Sequence, residues 1–316
     1  MSGKTLTIGG LHPSTFLVEN LRLPVEETAA ISMVQDAVDQ AASERKAVAV
    51  VSDKGVGKTI SLVQAEAEFR EGEMAKSEAD AGYKTRRFVT LQSPRSTKEE
   101  EVYSVIWKAV VGTRAPVRRR NRKVGPDELR EKLVEYIHSG NVALLALDEA
   151  EKLSDVGLTV LRDIMSAAES TSVRRFGEGG YAAAGIGMVM LGASELEPRL
   201  RDWDELGHRL LRIVRLEHLE NEEVAGLYTR FLPGIARHVE EVGESFWRDW
   251  VRQEVTRGKS FPIRAVENHV RNYVRRMAEN EPEVELVDDI PFDEDVFLFT
   301  LDELPLVQRQ RGQRTG

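Results

Sequence analysis

The sequence is 316 residues long, 41% hydrophobic and 31% charged, proportions that fit one large or two ordinary globular domains and exclude a chain dominated by disorder. It contains no cysteine, which excludes disulfides, thiolate metal sites and cysteine nucleophiles. No run approaches the roughly 18 apolar residues needed to span a bilayer, and the opening MSGKTLTIGG lacks the apolar core of a secretory signal, so the cytoplasm is the expected compartment.

Residues 1–25 show little periodicity and hold Pro13 and Pro24, which predicts an extended arm. Ile31, Val34, Ala37, Val38 and Ala41 recur at helical spacing and predict a helix over 26–44. AVAVV at 47–51 is wholly apolar, as a strand buried on both faces of a parallel sheet must be, and it leads into SDKGVGKT and a helix through Phe69. RFVTLQ at 87–92 reads as a second strand, followed by a helix near 98–111, a basic loop and a helix near 127–138. NVALLALDEA at 141–150 is the third strand; a helix over 156–169 and the glycine-rich loop SVRRFGEGGYAAAG follow it. GIGMVMLGAS at 185–194 is the fourth. Strands alternating with helices predict an α/β fold, a parallel sheet with helices on both faces.

No strand of comparable strength is predicted after Leu216, and the segments 220–243, 244–257 and 262–278 predict a small helical lid in which Trp247 and Trp250 pack. From Glu279 to Glu303 the chain carries eleven acidic residues and no Lys or Arg; VFLFTL at 296–301 has β character, and at least the last ten residues are expected to be disordered. The expected division is an arm over 1–25, an α/β core over 26–217, a lid over 218–280 and an acidic tail over 281–316.

SDKGVGKT fits the phosphate-binding pattern GxxxxGK[ST] at every fixed position but the first, where Ser52 replaces glycine. Backbone N–H groups of Ser52, Asp53, Lys54, Gly55, Val56 and Gly57 are expected to converge on phosphate oxygens at a helix start. Lys58 is expected to reach the β and γ phosphates, and the Thr59 hydroxyl to ligate Mg²⁺. In ALLALDEA an apolar strand delivers Asp148 and Glu149 to its C-terminal edge, the side on which open α/β sheets bind ligands. Asp148 is the second expected Mg²⁺ ligand and Glu149 the expected general base, so the reading is hydrolysis of ATP to ADP and phosphate.

A phosphate loop, paired acids at a strand end, a strand ending in a polar residue, a downstream arginine and a helical lid, in that order, resemble the AAA+ superfamily. AVAVVSDKGVGKT, LLALDEAEKLSDVGLTVLRDI and GIGMVMLGAS are closer to its transposition ATPases, the group of the phage Mu B protein, TnsC and TniB, over roughly residues 30–275. The resemblance implies that Ser194, where the family often has Asn or Thr, is the sensor 1 residue. It implies that Arg209 in DELGHRLLRIVRL is an arginine finger acting on a neighbouring subunit, with Arg212 and Arg215 as alternatives, and that Arg264 in SFPIRAVENHV is the sensor 2 arginine. The family's adenine neighbourhood falls at residues 23–28, where no single residue stands out.

The net charge of -9 argues against a polyanionic partner, yet six of the ten residues from Arg114 to Lys123 are basic. The resemblance implies a ring or helical filament of copies around double-stranded DNA, with Arg118, Arg119, Arg120, Arg122 and Lys123 on the phosphates and Arg174 and Arg175 as weaker candidates. Its implied partners are a transposase and a target-selection protein, with hydrolysis driving disassembly. An ExeA-like scaffold in secretion or signalling without a DNA role, and a replication initiator or helicase loader, share much of the pattern and stay as alternatives. His208, His218, His238 and His269 have no spacing that makes a metal site with carboxylates.

Overall fold

A strand that is apolar at every residue is stable only inside a sheet whose two faces are covered. The computed structural model describes residues 29–83, 85–113, 115, 117–118, 122–123, 125–137, 142–176, 186–202, 209–258, 261–280 and 290–304. They form two compact units: Ala29–Asp53 with Lys58–Leu216, and Lys54–Gly57 with the described part of 217–316.

The first unit runs α1 (Ala29–Glu44), β1 (Ala47–Val51), α2 (Lys58–Ala79), β2 (Arg87–Gln92) and α3 (Glu99–Val111). It continues with a short hairpin of β3 (Val117–Arg118) and β4 (Arg122–Lys123), α4 (Pro126–Tyr136) and β5 (Val142–Asp148). Then come α5 (Asp155–Phe176), β6 (Gly187–Gly192), α6 (Leu196–Arg201) and β7 (Leu210–Arg215). The main sheet is parallel in the order β2-β5-β6-β1-β7. Its central strands β5, β6 and β1 are buried at every residue, while the edge strands β2 and β7 are partly exposed. This is the α/β fold that the alternation predicts.

Three elements of this unit differ from the sequence expectation. β7 was not predicted, because LLRIVR has the half-exposed pattern of a sheet edge, with Arg212 breaking the apolar run. Helix α2 runs on to Ala79, held by Glu73, which is only 2% exposed. Burial alone would push the Glu73 carboxyl up. The Arg86 backbone N–H, the Tyr83 hydroxyl, the Arg86 guanidinium and Lys76 outweigh burial and hold it at about 2. Helix α5 runs through Phe176, since no glycine or proline interrupts it between Gly157 and Gly177; Arg174 and Arg175 therefore lie on helical backbone rather than in a loop.

The helical unit contains α7 (Asn221–Phe231), α8 (Pro233–Val242), α9 (Glu244–Trp250) continued by a π turn over Val251–Val255, α10 (Ile263–Asn280) and α11 (Glu294–Asp302). Trp247, Tyr228, Tyr273, Phe261 and Phe297 are fully buried in its core, and Trp247 stacks on Trp250. Helix α11 corrects the β reading of VFLFTL. Its N-cap Asp293 accepts the Val296 N–H at 3.0 Å, Glu294 and Asp295 favour the positive end of the first turn, and Phe297, Thr300 and Leu301 form one buried face. Those forces outweigh the β propensity of the residues. Among the described residues, no helix is long and apolar enough to cross a membrane.

Candidate functional site

Strand β1 ends at Val51, and the next two residues carry the loop away from the sheet. Ser52 is 3% exposed. Lys58, the first residue of α2, turns its ammonium back onto this loop and donates to Ser52 Oγ at 2.7 Å, Ser52 O at 3.0 Å and Asp53 O at 3.0 Å. The residue that departs from the usual glycine thus supplies the shortest of the three contacts. Burial pushes the Lys58 amine below its ordinary value, against the opposing pull of Glu151, Asp148, Asp53 and Glu195.

One residue further on, Thr59 Oγ1 donates to Asp148 Oδ2 at 2.9 Å, joining two residues 89 positions apart. Asp148 is the last residue of β5 and is 6% exposed; its Oδ1 accepts the Glu149 N–H at 2.8 Å. The end of β2 is tied to the same place, since Ser93 donates to the Asp148 carbonyl through both its N–H (3.0 Å) and its hydroxyl (2.7 Å). A hydroxyl and a carboxylate meeting this closely form an all-oxygen donor set suited to a hard divalent cation. Among the described residues, no group of three or more His, Asp or Glu side chains is arranged to hold a metal.

Glu149 has φ 55°, the left-handed region that non-glycine residues rarely enter and that concentrates at functional sites. Its carboxylate is bonded to Lys152 and has Arg95 Nη2 3.7 Å away. The hydrogen bond from Lys152, with the charges of Lys152 and Arg95, holds the Glu149 carboxyl below the usual range. Ser194 is also drawn in: its hydroxyl donates to Asp53 Oδ1 at 2.9 Å, and the preceding Ala193 N–H donates to Glu151 Oε2 at 3.0 Å. Lys58, Thr59, Asp148, Glu149, Asp53 and Ser194 are therefore linked at the C-terminal edge of one sheet.

Lys54–Gly57 group with the helical unit. Gly55 and Gly57 have φ of 92° and 99°, a backbone that only glycine adopts without strain. The Gly55 carbonyl accepts the Arg264 backbone N–H at 3.2 Å, and a Cβ on Gly57 would lie 3.3 Å from Ile263 Cγ2. Arg264 thus meets the loop through its backbone, and its side chain is exposed. Val56 is buried and Lys54 exposed.

Arg209 is elsewhere. Its carbonyl accepts the Ala47 N–H at 2.9 Å, which puts it at the N-terminal edge of the parallel sheet, opposite the edge that carries Ser52 and Asp148. Arg215 is engaged within the chain, 2.5 Å from Glu197, and Arg212 is exposed on β7. The hairpin of β3 and β4 pairs Arg118 with Arg122 and Val117 with Lys123 in antiparallel register. Arg114, Arg119, Arg120 and residues 23–28 lie outside the described residues.

Sequence reasoning missed Arg95, Lys152, Glu151 and Ser93. Glu151 and Lys152 stand in the run DEAEK immediately beyond the paired acids, and Ser93 and Arg95 follow a strand whose C-terminal edge faces the site. Position alone was the available signal.

A phosphate loop, a strand ending in paired acids and a five-stranded parallel sheet define a P-loop nucleotide-binding fold. The AAA domain family matches residues 40–200, just over half of the sequence, and this chain belongs to that family. No curated protein matches it significantly. The ORC2 protein of Aeropyrum pernix, in ADPNP and ADP complexes, is 15% identical and superposes with a TM-score of 0.56 over 91% of this chain and 71% of that one. The Aeropyrum pernix ORC1 protein in complex with DNA is 13% identical, with a TM-score of 0.55 over 95% and 72%. Drosophila ORC bound to DNA is 15% identical, with a TM-score of 0.54 over 96% and 69%. At these identities the likeness is one of fold.

Proposed function

We propose that this protein is a cytoplasmic AAA+ ATPase that assembles on double-stranded DNA without regard to sequence, as the transposition regulators it resembles do, and that recruits or activates a transposase, alongside a target-selection protein. The observation that carries the ATPase reading is the 2.9 Å contact between Thr59 and Asp148 beside the loop that holds Lys58. Thr59 and Asp148 would hold Mg²⁺, which when bound draws charge from the phosphate oxygens. Lys58 would leave Ser52 and Asp53 for the β and γ phosphates of ATP, the N–H groups of Ser52–Gly57 would line the triphosphate, and Arg264 would report on it from the helical unit. Glu149 would release Lys152 to orient water and take its proton, and Ser194 would contact the γ-phosphate or that water. Arg209, remote from its own subunit's loop, would complete the site of a neighbouring copy, in a ring or filament whose hydrolysis drives disassembly.

The DNA reading rests on the basic hairpin. Arg118, Arg122 and Lys123, with Arg119 and Arg120 between them in sequence, concentrate positive charge in a chain of net charge -9, and two structures of similar fold are DNA complexes. Arg174 and Arg175 are secondary contacts. The division into an arm over 1–25, a core over 26–217, a lid over 218–280 and an acidic segment over 281–316 goes with this reading, the acidic segment contributing α11 to the lid. The likeness to ORC proteins favours a second reading, a replication initiator or helicase loader built on the same DNA-bound assembly.

The test is binding of unrelated duplexes with a nonhydrolysable ATP analogue and with ADP. Tight, strongly salt-dependent and sequence-blind binding with the analogue alone is expected, with Glu149→Gln retaining nucleotide while losing turnover by about a hundredfold or more. Equal binding with both nucleotides, or normal turnover in Glu149→Gln, overturns the reading. Stimulation of a transposase by the DNA-bound form separates the two variants of it.

A further inference from the structure

Helices α7, α8 and α9 of the helical unit enclose a groove of about 730 Å³. Gly226, Ala236, Val239 and Trp247 supply the apolar part of its lining. Among its described lining residues, Arg248 is 2.6 Å from Glu244 and the two neutralise one another, which leaves Glu222, Glu223 and Glu240 with one further cation, Arg230.

Gly226 is a second, independent pointer. It lies in the middle of α7, where glycine weakens a helix relative to alanine. Nothing among the described residues demands it. Its φ is not in the left-handed region, and a Cβ added there would have no neighbour within 4 Å. A glycine that the described fold does not need, in the lining of a groove, leaves room for another backbone to come close.

We propose that this groove takes a basic amphipathic helix of a partner protein. The excess of carboxylates repels nucleic acid and anionic lipid and favours lysine and arginine. The walls are three helices whose backbone groups are internally bonded, so recognition runs through side chains and an apolar helix face rather than through strand addition. The partner helix lays its apolar stripe over Gly226, Ala236 and Val239, and its cations reach Glu222 and Glu240 at the rim. This site is independent of the nucleotide chemistry proposed above and of the basic hairpin.

The probe is a fluorescent peptide of leucine and lysine, about 18 residues long with leucines at helical spacing, titrated with the full-length protein and read by anisotropy. Binding is expected for this peptide and absent for its glutamate–leucine counterpart and for a version broken by a central proline. Glu222→Lys with Glu240→Lys, and separately Gly226→Leu, should each weaken it by about tenfold or more. Reversal of two exposed carboxylates on α2, Glu71→Lys with Glu78→Lys, should change it by less than about twofold. Gly226→Ala should raise the unfolding midpoint by a few degrees, which checks that the glycine is not kept for the fold. Unchanged affinity in Gly226→Leu overturns the proposal, as does equal weakening by the α2 reversals. A change in sedimentation of the Gly226→Leu protein alone assigns the groove to a second copy of this chain and overturns it too.

Discussion

Glu73 in the α/β unit and His269 in the helical unit are both buried, but one is kept charged and the other neutral. Glu73 sits among four donor groups from Tyr83, Arg86 and Lys76, enough to outweigh the loss of water around a carboxylate. His269 has no such surroundings. Its Nδ1 faces the Tyr228 hydroxyl at 2.7 Å and its Nε2 faces the Phe297 carbonyl at 2.8 Å and the Thr300 hydroxyl at 3.1 Å, among aromatic rings. Burial pushes it down to about 4, only partly opposed by the Phe297 carbonyl. A buried ionisable group is tolerated when its own neighbours can satisfy one protonation state, and the neighbours decide which. In the α/β unit that state clamps the end of α2 to the approach to β2; in the helical unit it docks α11 onto α7 and α10.

Breaking the charged case should cost most. Glu73→Ala leaves the Arg86 guanidinium half-buried without its carboxylate and should destabilise the α/β unit by about 4 kcal/mol, with hydrogen exchange accelerating in α2 and β2 before α10. Retained protection there would mean that the cluster is only a surface ion pair.

An acid titration should separate the two units. The unfolded His269 takes a proton near 6.5 and the folded one resists until about 4, so stability present above pH 6.5 is lost as pH falls to about 4, by about 3 kcal/mol in all. Glu73, depressed from 4.5 to about 2, keeps its contribution above pH 4.5 and loses it only below. Exchange protection should therefore fail first in α10 and α11, and His269→Gln should flatten that loss between pH 6.5 and 4. Simultaneous loss in both units would contradict the distinction.

The smallest expected effect lies at the phosphate loop. Ser52→Gly removes an acceptor that competes with phosphate for Lys58, and it should tighten nucleotide binding by about threefold, the scale of a modest net hydrogen bond. Weaker binding in isothermal titration would mean that Ser52 Oγ supports the bound state instead.

The parts legible in the sequence were those that local chemistry dictates. AVAVV and VALLAL are apolar at every position, so buried parallel strands follow, and motif spacing singles out Lys58, Thr59, Asp148 and Glu149, which the structure brings to one edge of the sheet. Arg95 beside Glu149 and Ser194 on Asp53 are contacts across 54 and 141 positions that no spacing announces. Strand β7 is obscured because an edge strand is half-exposed, and Arg212 and Arg215 interrupt its apolar pattern. Helix α11 is hidden in the sequence because VFLFTL has β propensity, while the cap that starts the helix, DED, reads equally as plain acidic charge.

The hairpin register has an implication of its own. Arg118 and Arg122 are partners in the backbone register of an antiparallel pair, and residues of like charge at paired positions disfavour a ladder. A two-stranded ribbon is marginal in water even without that repulsion. Repulsion of that kind is screened by salt, so the ribbon is expected to gain order as ionic strength rises, which amide exchange of Arg118 and Arg122 at low and high salt would measure.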